Sequence, residues 1–454
     1  MNKHYHFIGI GGIGMSGIAQ LLLRAGATVS GSDVKESHAT QELKALGARI
    51  SIGHDAKNID GAQVVVYSSA IKEDNPEFAV AKLKGILIKR AQALAQLMRD
   101  KTVITVTGSH GKTTTTSLVS YLLLEAGLNP TAAIGGILRN IDNNAFLGSG
   151  KYFIAEADES DGSFLYYSPK YSIITNIDRE HLDYYKTFEA EIRAFKEFIH
   201  KTEEGGCIFA CSDDENLSDI LKGYKFRRVL FGIERQADIY PKNIEMNGLS
   251  SDFDCYYQNK FVGRFHLALG GIHNISNSLA VIALGLELGI GLEFIKKTLS
   301  LYRGAKRRLE IKYQDDNFLL IDDYAHHPTE IKATLAAARN IKVKRMIAIF
   351  QPHRYTRTQL LLDEFSRSFD LADYVLITDI YAASEPSIEG VSAKKVHDKI
   401  KEHAPDKKVL YLPKERITEH ILEIISPGDM VITIGAGDIV KISDELAEKL
   451  KEQG

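Results

Sequence analysis

The sequence predicts an α/β protein with three domains in series. Short apolar runs alternate with helical patterns along the whole chain, which is typical of parallel α/β units. The length of 454 residues exceeds what a single hydrophobic core usually supports. New strand–loop–helix units start near residues 102 and 318, so we predict domains at 1–98, 99–308 and 309–454.

Composition and charge exclude several classes of protein. Hydrophobic residues make up 44% of the chain and charged residues 25%, with a net charge of −3, so no basic surface for nucleic acid or lipid is expected. No apolar run reaches membrane-spanning length, and the N-terminal sequence enters a glycine-rich segment before any signal-length apolar stretch. Three cysteines fit a reducing compartment, and we expect a cytoplasmic protein.

The first domain is predicted to be Rossmann-like. Its predicted strands lie at 6–10, 28–32 and 64–67, with helices from about Met15, from about Ser37 and at 90–98. Strands that alternate with helices in this way form parallel sheets covered by helices. The edge of such a sheet, at the carboxyl ends of its strands, is where ligands bind.

A glycine loop, F-I-G-I-G-G-I-G-M-S-G, joins the first strand to the first helix. It contains a G-x-G-x-x-G pattern at Gly9, Gly11 and Gly14, and Asp33 follows at the end of the next strand. In a dehydrogenase this pattern binds NAD, with the acidic residue on the ribose. The same backbone amides at a helix N-terminus hold any pyrophosphate, so the loop alone does not identify its ligand.

The second and third domains repeat the alternation of strands and helices. In the second, strands are predicted at 102–107, 152–155, 172–175 and 207–210, a helix at 112–126, a β-rich insert at 229–265 and a helical region at 274–301. In the third, which is also predicted to be Rossmann-like, strands are predicted at 318–321, 346–350, 374–378 and 430–434. The buried strand pattern around Cys207 and Cys211 favours packing over metal binding there.

The second domain opens with a phosphate-binding loop. Residues 107–116 read T-G-S-H-G-K-T-T-T-T, between a predicted strand and a predicted helix. Glycines let backbone N–H groups turn toward phosphates, Lys112 adds a positive charge, and the hydroxyl of Thr113 is placed to ligate Mg²⁺. The pattern departs from a standard Walker A motif, because Gly108 stands closer to Gly111 than that motif requires.

Carboxylates and a histidine follow two other strands of the second domain. The segment Y-F-I-A-E-A-D-E-S-D contains Glu156, Asp158, Glu159 and Asp161, and S-I-I-T-N-I-D-R-E-H-L-D contains His181. Ends of parallel strands collect ligands, and carboxylates beside a phosphate loop hold Mg²⁺ directly or through water. The pattern therefore predicts a metal site beside the phosphate loop.

Two polar segments follow predicted strands of the third domain. They read D-D-Y-A-H-H-P-T-E-I at 322–331 and F-Q-P-H-R-Y-T-R-T at 350–358. Arg354 and Arg357, with His353, suit a carboxylate or a phosphate, because a guanidinium group binds these anions through two parallel hydrogen bonds. We therefore expect an anion site at this edge of the sheet.

Four motifs resemble those of the Mur ligases, which build the bacterial peptidoglycan stem. They are T-G-S-H-G-K-T-T-T, E-A-D-E-S-D, T-N-I-D-x-x-H-L-D and, at 271–277, G-x-H-N-x-x-N. The resemblance covers essentially the whole chain and implies one domain for a UDP-sugar, one for ATP and one for an amino acid. The glycine loop and the two polar segments of the third domain resemble the branch that adds L-alanine to UDP-N-acetylmuramate.

The resemblance implies an ATP-dependent ligase that uses Mg²⁺ and joins L-alanine to the lactyl carboxylate of UDP-N-acetylmuramate, through an acyl phosphate and a tetrahedral intermediate. Asp33 is then expected to contact the UDP portion or to shape the loop. The implied UDP-sugar-binding residues are Gly9, Gly11, Gly12, Gly14, Met15, Ser16, Asp33 and Ser69. The implied ATP-binding residues are Gly108, Ser109, His110, Gly111, Lys112, Thr113, Thr114, Asn274 and Arg307.

The resemblance also implies catalytic roles. The implied catalytic residues are Lys112, Glu156, His181, His326 and Arg308, and the implied metal ligands are Thr113, Glu156 and His181. The implied residues for the amino acid and the carboxylates are Tyr324, His326, His353, Arg354 and Arg357. Some relatives carry a carbamylated lysine near the position of Lys196, but the alanine-adding branch is thought to lack it, so we expect an unmodified amphipathic helix there.

Alternative functions are still open on the sequence. A ligase that recycles murein tripeptide shares the glycine loop and the D-D-Y-A-H-H-P-T-E-I segment but lacks P-H-R-Y-T-R-T. The presence of P-H-R-Y-T-R-T therefore favours alanine addition. An NAD-dependent dehydrogenase explains the glycine loop but leaves Lys112, Glu156 and His181 without a role. An inactive regulatory protein is disfavoured, because every predicted catalytic residue type is present. We expect a monomer or weak homodimer that binds neither nucleic acid nor membranes.

Overall fold

The computed structural model describes residues 3–383 and 385–453, apart from the side chains of Asp183 and Gln453. The chain forms two compact units. The first takes residues up to Lys242 with 254–265 and 276–303, and the second takes 243–253, 266–275 and residues from Gly304 on. Among the described residues, no helix has both the length and the apolarity that a bilayer crossing requires.

The N-terminal part is a five-stranded parallel sheet in the order β3-β2-β1-β4-β5. Its elements are β1 (His4–Ile8), α1 (Ile13–Arg24), β2 (Thr28–Asp33), α2 (His38–Ala45), β3 (Arg49–Ile52), β4 (Val64–Tyr67), α3 (Pro76–Leu83), β5 (Leu87–Lys89) and α4 (Arg90–Leu97). The glycine loop follows the central strand β1, so it opens at the carboxyl edge of this sheet.

Local sequence explains why these elements form where they do. The central strands β1 and β4 are apolar runs in which Phe7 and Val65 are fully buried. Helix α2 begins after Ser37, whose side chain accepts a hydrogen bond from the backbone N–H of Thr40 in a capping box. Helix α3 begins after Asn75, whose side chain accepts hydrogen bonds from the first-turn amides.

The central part is a ten-stranded sheet in the order β15-β14-β13-β12-β11-β10-β6-β9-β7-β8. Its elements are β6 (Thr102–Thr107), α5 (Lys112–Glu125), β7 (Thr131–Leu138), β8 (Asn143–Phe146), β9 (Tyr152–Glu156), β10 (Tyr171–Ile174), α6 (Leu182–Tyr185), α7 (Phe188–His200), β11 (Cys207–Cys211), α8 (Glu215–Leu221), β12 (Arg228–Phe231), β13 (Ile239–Asn247), β14 (Ser250–Tyr257), β15 (Lys260–Leu267), α9 (Ile272–Glu287) and α10 (Leu292–Leu301).

This strand order positions the phosphate loop. Strand β6 pairs in parallel with β9 on one side and with β10 on the other. The loop after β6 therefore lies between the acidic segment that follows β9 and the T-N-I-D segment that follows β10. The three motifs of the second domain meet at one edge of the sheet because their strands are neighbours.

The C-terminal part is a six-stranded sheet in the order β16-β17-β21-β18-β19-β20. Its elements are β16 (Glu310–Gln314), β17 (Phe318–Asp323), α11 (Pro328–Ala338), β18 (Arg345–Phe350), α12 (Tyr355–Leu360), α13 (Leu362–Ser366), β19 (Tyr374–Ile377), α14 (Ala393–His403), β20 (Lys408–Tyr411), α15 (Ile417–Ile424), β21 (Asp429–Ile434) and α16 (Val440–Gln453). Strands β17 and β18 both pair in parallel with β21, so the two polar segments that follow them lie at the same edge.

The predicted α/β class is confirmed, and the predicted strands in 64–67 and 102–107 match β4 and β6. The prediction at 6–10 is displaced, because β1 begins at His4 and the glycine loop already starts at Gly9. Strands β3, β5, β7, β8, β16 and β20 were not predicted; all of them except β7 lie at sheet edges, where burial is only partial. The domain boundaries at 98 and 308 stay predictions.

The cysteines are packed inside the fold. Cys207, Cys211 and Cys255 are free thiols and all three are buried. Burial raises the pKa of Cys207 and Cys211 to about 11, so both stay protonated at neutral pH. Their environment agrees with the packing role that the sequence predicts.

Candidate active site

The glycine loop is held by the strand next to it. The backbone N–H of Gly9 donates to the carbonyl of Ser32 at 2.8 Å, and Gly9 adopts a positive φ of 75° that favours glycine. The N–H of Gly11 donates to Asp33 Oδ2 at 2.8 Å. Asp33 therefore shapes the loop directly, which is one of the two roles that its position in the sequence predicts.

The other residues predicted for the UDP-sugar lie along the start of α1 and after β4. Gly12 caps α1, and Met15 and Ser16 are buried in its first turns. Ser16 Oγ donates to the carbonyl of Ile13 at 3.1 Å. Ser69 is exposed in the turn after β4, the strand next to β1 in the sheet. These residues therefore belong to segments at one edge of the N-terminal sheet.

A buried carboxylate supports the glycine loop from the sheet. Glu77 is fully buried and accepts hydrogen bonds from Ser32 Oγ at 2.6 Å, Asn58 Nδ2 at 2.7 Å and the backbone N–H of Asp55 at 3.2 Å, with His6 Nε2 3.1 Å away. Burial alone would raise the pKa of Glu77, but its hydrogen bonds with His6, Ser32 and Asn58 outweigh burial and lower that pKa to about 2. Ser32 also supplies the carbonyl that anchors the loop.

In the phosphate loop, the lysine side chain donates three hydrogen bonds. Lys112 Nζ donates to the carbonyls of Gly108 at 2.6 Å and Ser109 at 3.1 Å, and to Glu159 Oε1 at 2.7 Å. Burial lowers the pKa of Lys112, but the nearby carboxylates, Glu159 first, outweigh it and raise that pKa above its usual value. Lys112 is therefore a permanent positive charge inside the loop.

The segment after β10 supports the phosphate loop. The N–H of His110 donates to Asn176 Oδ1 at 2.8 Å, and His110 Nε2 lies 2.9 Å from Asp178 Oδ2. The N–H of Asp178 donates to Ser109 Oγ at 2.8 Å. A Cβ on Gly108 would lie 2.8 Å from the carbonyl oxygen of Asn176, so the close approach of the two segments requires glycine.

The helix that follows the loop carries hydroxyl groups toward the carboxylates. Thr113 and Thr114 are buried in the first turn of α5, and Thr113 Oγ1 donates to Glu156 Oε1 at 3.1 Å. The N–H of Gly135 donates to Glu156 Oε2 at 3.0 Å. Burial raises the pKa of Glu156, an effect that the charge of Lys112 opposes. Glu156 is thus fixed beside the first turn of the helix.

His181 lies between two carboxylates. Its Nε2 is 3.3 Å from Glu159 Oε1 and 3.1 Å from Glu180 Oε2, and its backbone has a positive φ of 54°. Burial would lower the pKa of His181, but the two carboxylates outweigh it and raise that pKa to about 10. Glu159 Oε1 therefore contacts two cationic side chains, His181 and Lys112, because it also accepts a hydrogen bond from Lys112 Nζ.

The donor set beside the loop fits Mg²⁺. Thr113 Oγ1 and Glu156 supply oxygens at the helix start, and Glu159 Oε2 is buried with no hydrogen-bond partner in the part of the chain that the structure describes. Oxygens of this kind are the ligands that Mg²⁺ prefers. Of the predicted metal ligands, Thr113 and Glu156 therefore contact each other, whereas His181 faces Glu159, which was not predicted as a ligand.

In the second unit, the residues predicted for the amino acid lie together. The rings of His326 and His353 are 5.5 Å apart, and those of His326 and Tyr324 also 5.5 Å. His326 Nδ1 is 3.3 Å from Glu330 Oε2. The His353 ring stacks on Tyr381 at 5.7 Å. Burial, followed by the charges of His326 and nearby arginines, lowers the pKa of His353 to about 2, so this ring stays neutral.

The arginines after β18 lie beside this aromatic cluster. Arg357 Nη1 is 3.2 Å from His353 Nδ1. Arg354 has a positive φ of 69°, which is unusual for a residue with a side chain, and its Nη1 lies 3.8 Å from Glu385 Oε1. Glu385 also accepts from Thr356 Oγ1 at 2.7 Å. The P-H-R-Y-T-R-T segment therefore places two arginines beside its own neutral histidine and has a strained backbone at Arg354, just before α12.

Two neighbouring arginines of the second unit have different surroundings. Arg307 donates to Asp322 Oδ2 at 2.9 Å and to the carbonyls of Gly435 and Gly437 at 2.6 and 3.1 Å, which favours a structural role for Arg307 over the predicted ATP contact. Arg308 lies 3.8 Å from Glu330 Oε1 and 5.3 Å from the centre of the Tyr324 ring. Arg307 also lies over this ring, at 5.1 Å, so both guanidinium groups contact Tyr324 and they differ in the three hydrogen bonds that hold Arg307.

Two further predicted residues lie outside these clusters. Asn274 is buried and its Nδ2 donates to the carbonyl of Gly270 at 2.8 Å, so its amide fixes the turn that begins α9. Lys196 is exposed on the polar face of α7, in agreement with the expected amphipathic helix. Its side chain has the surroundings of an ordinary surface lysine.

Some residues of these sites were not predicted from the sequence. Glu159 was included in the acidic segment that predicts a metal site but was given no role of its own, although it joins Lys112 to His181. Arg90 packs against Gly14 and pairs with a carboxylate of the central part, and the sequence marked it only as the start of a predicted helix. Tyr381 lies far from the other members of its cluster in sequence, so no local motif indicated it.

Known families and proteins resemble this chain along its whole length. Residues 4–102 match the family described as "Mur ligase family, catalytic domain", residues 106–285 match "Mur ligase middle domain", and residues 307–437 match "Mur ligase, glutamate ligase domain". The chain belongs to the Mur ligase family. A UDP-N-acetylmuramate–L-alanine ligase of Geotalea daltonii is 45% identical to this Mur ligase over 451 residues, which cover 99% of this chain and 98% of that protein.

Solved structures agree with this membership. The UDP-N-acetylmuramate–alanine ligase of Thermotoga maritima matches with a TM-score of 0.85 at 29% identity, over 100% of both chains. A murein peptide ligase of Psychrobacter arcticus matches with a TM-score of 0.73 at 25% identity, over 99% of both chains. The resemblance inferred from the motifs is confirmed, and the dehydrogenase alternative is not favoured.

Proposed function

We propose that this Mur ligase joins L-alanine to the lactyl carboxylate of UDP-N-acetylmuramate while ATP is converted to ADP and phosphate. The family consists of ATP-dependent ligases, and the relatives at about this identity carry the name of that reaction. The observation that carries the proposal is the phosphate loop in which Lys112 is held by Glu159, with Thr113 and Glu156 beside it. The glycine loop then serves the UDP-sugar.

We assign the three domains on this basis. Residues 1–98 bind the UDP-sugar, residues 99–308 bind ATP, and residues 309–454 bind the amino acid. The three parallel-sheet parts support this division, because each presents its polar segments at the carboxyl edge of its own sheet. We also propose a cytoplasmic monomer or weak homodimer, which light scattering over a concentration series would test.

The first step activates the carboxylate. An oxygen of the lactyl carboxylate attacks the γ-phosphorus of ATP, the bond from that phosphorus to the bridging oxygen breaks, and ADP leaves behind an acyl phosphate. Lys112 stabilises the charge that spreads over the phosphate oxygens, and the loop amides orient them. Glu159 and His181 position Lys112 and complete the charge balance around it.

Magnesium would be held at the start of α5. We propose Thr113 and Glu156 as its ligands, with Glu159 of the same acidic segment as a further oxygen. His181, the third ligand implied by the family, can bind a metal only after it loses the proton that Glu159 and Glu180 stabilise. When bound, Mg²⁺ neutralises phosphate charge and so lowers the barrier to carboxylate attack.

The second step forms the amide bond. The amine of L-alanine attacks the acyl carbon, a tetrahedral intermediate forms, and the carbon–oxygen bond to phosphate breaks. We propose that His326 receives the proton that the ammonium group loses, and that Arg354 and Arg357 bind the carboxylates. We propose Arg308, rather than Arg307, as the residue that contacts phosphate. We propose that Asn274 lies next to adenine.

Phosphate release from ATP tests the proposal. The protein with Mg²⁺ and ATP is assayed with UDP-N-acetylmuramate and L-alanine together, with each alone, and with neither. We expect rapid release only when both are present, and the Lys112→Met variant serves as the inactive control. Release with the murein tripeptide L-Ala-γ-D-Glu-diaminopimelate but without alanine would contradict the proposal and place the chain in the recycling branch. No release with either acceptor would contradict the assignment of the site.

A further inference from the structure

Arg90 is a partly buried cation beside the glycine loop. The proposed mechanism does not use this arginine. It is the first residue of α4, and its side chain is 29% exposed. A Cβ built on Gly14 would collide with its guanidinium group, so the arginine lies directly on the loop backbone. The third glycine of the G-x-G-x-x-G pattern therefore makes room for Arg90 as well as for a ligand.

The same guanidinium faces the carboxylates of the phosphate-loop site. Arg90 Nη2 lies 3.4 Å from Asp158 Oδ2, a separation longer than the 2.7–2.9 Å or so that is usual for a strong charge-assisted hydrogen bond. The Asp158 side chain is itself 35% exposed. Asp158 therefore holds Arg90 loosely, within reach of the loop.

Arg90 supplies a positive charge beside the loop. Residues 7–17 contain no lysine or arginine, so the loop itself offers only backbone amides and the start of α1. A diphosphate over Gly14 would lie near Asp158, which Arg90 contacts, and this carboxylate would repel it. A cation between the loop and Asp158 offsets this repulsion, and the planar fork of an arginine suits two phosphate oxygens.

We propose that Arg90 binds the diphosphate of the nucleotide-sugar substrate over Gly14, and that it exchanges Asp158 for this diphosphate when the substrate enters. The inference rests on the proposed function, because it takes the ligand of the glycine loop to be a UDP-sugar. Arg90 is a specificity-determining residue in this account. It makes the loop a site for diphosphates and sets the substrate next to the phosphate-loop carboxylates.

The test measures UDP affinity by calorimetric titration of the full-length chain. We expect Arg90→Gln to weaken UDP binding at least tenfold and Arg90→Lys to weaken it less, because lysine keeps the charge without the fork. Arg99→Gln, an exposed arginine just after α4, is the matched control and should bind UDP like the wild type. Unchanged affinity for a non-hydrolysable ATP analogue in each variant shows that the first unit is folded.

Asp158→Asn separates a ligand-binding role from a purely structural ion pair. If Arg90 binds the diphosphate, removal of its competing carboxylate leaves UDP affinity unchanged or raises it up to about threefold, opposite to Arg90→Gln. Equal losses in Asp158→Asn and Arg90→Gln would overturn the proposal, because both variants break the same pair. UDP affinity of Arg90→Gln within twofold of wild type would overturn it as well.

The substrate itself distinguishes the remaining outcomes. Loss of affinity for UDP-N-acetylmuramate with unchanged affinity for UDP would overturn the proposal and move the guanidinium to the lactyl carboxylate. A wild-type protein that does not bind UDP contradicts the proposed function, whereas a wild type that binds UDP and an unaffected Arg90→Gln contradict this inference alone.

Discussion

The two glycine-containing loops of the first unit share a topology and differ in chemistry. Each follows a central strand of a parallel sheet and leads into a helix, β1 to α1 in one case and β6 to α5 in the other. The first has no charged side chain of its own and is shaped by Asp33, with Arg90 packed against it. The second contains Lys112 and is flanked by Glu156 and Glu159.

The difference in side chains indicates which ligand each loop can bind. Amides and one arginine suit a diphosphate that only has to be positioned. A lysine with hydroxyl and carboxylate oxygens suits a triphosphate with Mg²⁺ that has to react. On the proposed function, the topology provides two phosphate sites, and the side chains around each loop decide which of them is the site of chemistry.

Substitution of the phosphate-loop lysine gives the largest expected effect. Lys112→Met should lower kcat about 1,000-fold, because it removes the positive charge that stabilises the transferring phosphoryl group. UDP affinity should not change if the two loops are separate sites. Initial rates of phosphate release and a UDP titration check both points, with exposed Lys196→Met as the control. A normal rate in Lys112→Met would contradict the division between the loops.

Glu159→Gln is expected to have the next largest effect. The amide cannot balance Lys112 and His181, so kcat should fall about 100-fold, and more Mg²⁺ should be needed for half-maximal rate. Rates over a magnesium series test this, against Glu197→Gln on the exposed face of α7. An unchanged magnesium requirement in Glu159→Gln would show that this carboxylate does not help to hold the metal.

In the glycine loop, two alanine substitutions should differ from each other. Gly14→Ala forces the Arg90 guanidinium to move and should raise KM for UDP-N-acetylmuramate about tenfold, because the guanidinium is displaced from the diphosphate that it is proposed to bind. Gly12→Ala meets only ordinary contacts of 3.5 and 3.8 Å and should raise it less. Steady-state kinetics measure both, and KM for ATP should stay constant. Equal effects of the two substitutions would argue against the role of Arg90.

The smallest effect on activity is expected beneath the glycine loop, where Glu77 contributes stability. Its folded pKa of about 2 lies below the usual 4.5, so this stability is present above about pH 4.5 and is lost as pH falls toward 2. Glu77→Gln should lower the free energy of unfolding by about 2 kcal/mol at pH 7. Denaturant unfolding of both proteins should show this difference shrinking below pH 4.5. A difference that does not depend on pH would contradict the assignment.

Much of the fold follows from the sequence, because central strands are continuous apolar runs bounded by glycine loops. β6 and β4 were predicted at their observed bounds for this reason. Edge strands such as β3 and β20 are only partly buried and carry polar residues, so no apolar pattern indicates them. β7 was missed as well, since two glycines interrupt its apolar pattern.

The candidate site was predictable where chemistry lies in local motifs. Lys112, Thr113 and Glu156 are clustered as the strand order requires, because β9 is the neighbour of β6. Arg90 could not be inferred, since its importance depends on a contact with Gly14 that only the folded chain creates. For Arg307, the sequence predicted a ligand contact and gave no sign of a structural role. The three hydrogen bonds that favour a structural role reach carbonyls and a carboxylate distant in sequence.

Simultaneous binding to the wild-type protein tests the division of labour between the loops most directly. UDP is titrated calorimetrically into protein saturated with a non-hydrolysable ATP analogue and Mg²⁺, and then in the presence of excess NAD. The account predicts about one UDP per chain with the ATP site already filled, and no displacement by NAD. Loss of UDP binding in the presence of the ATP analogue, or displacement of UDP by NAD, would contradict it.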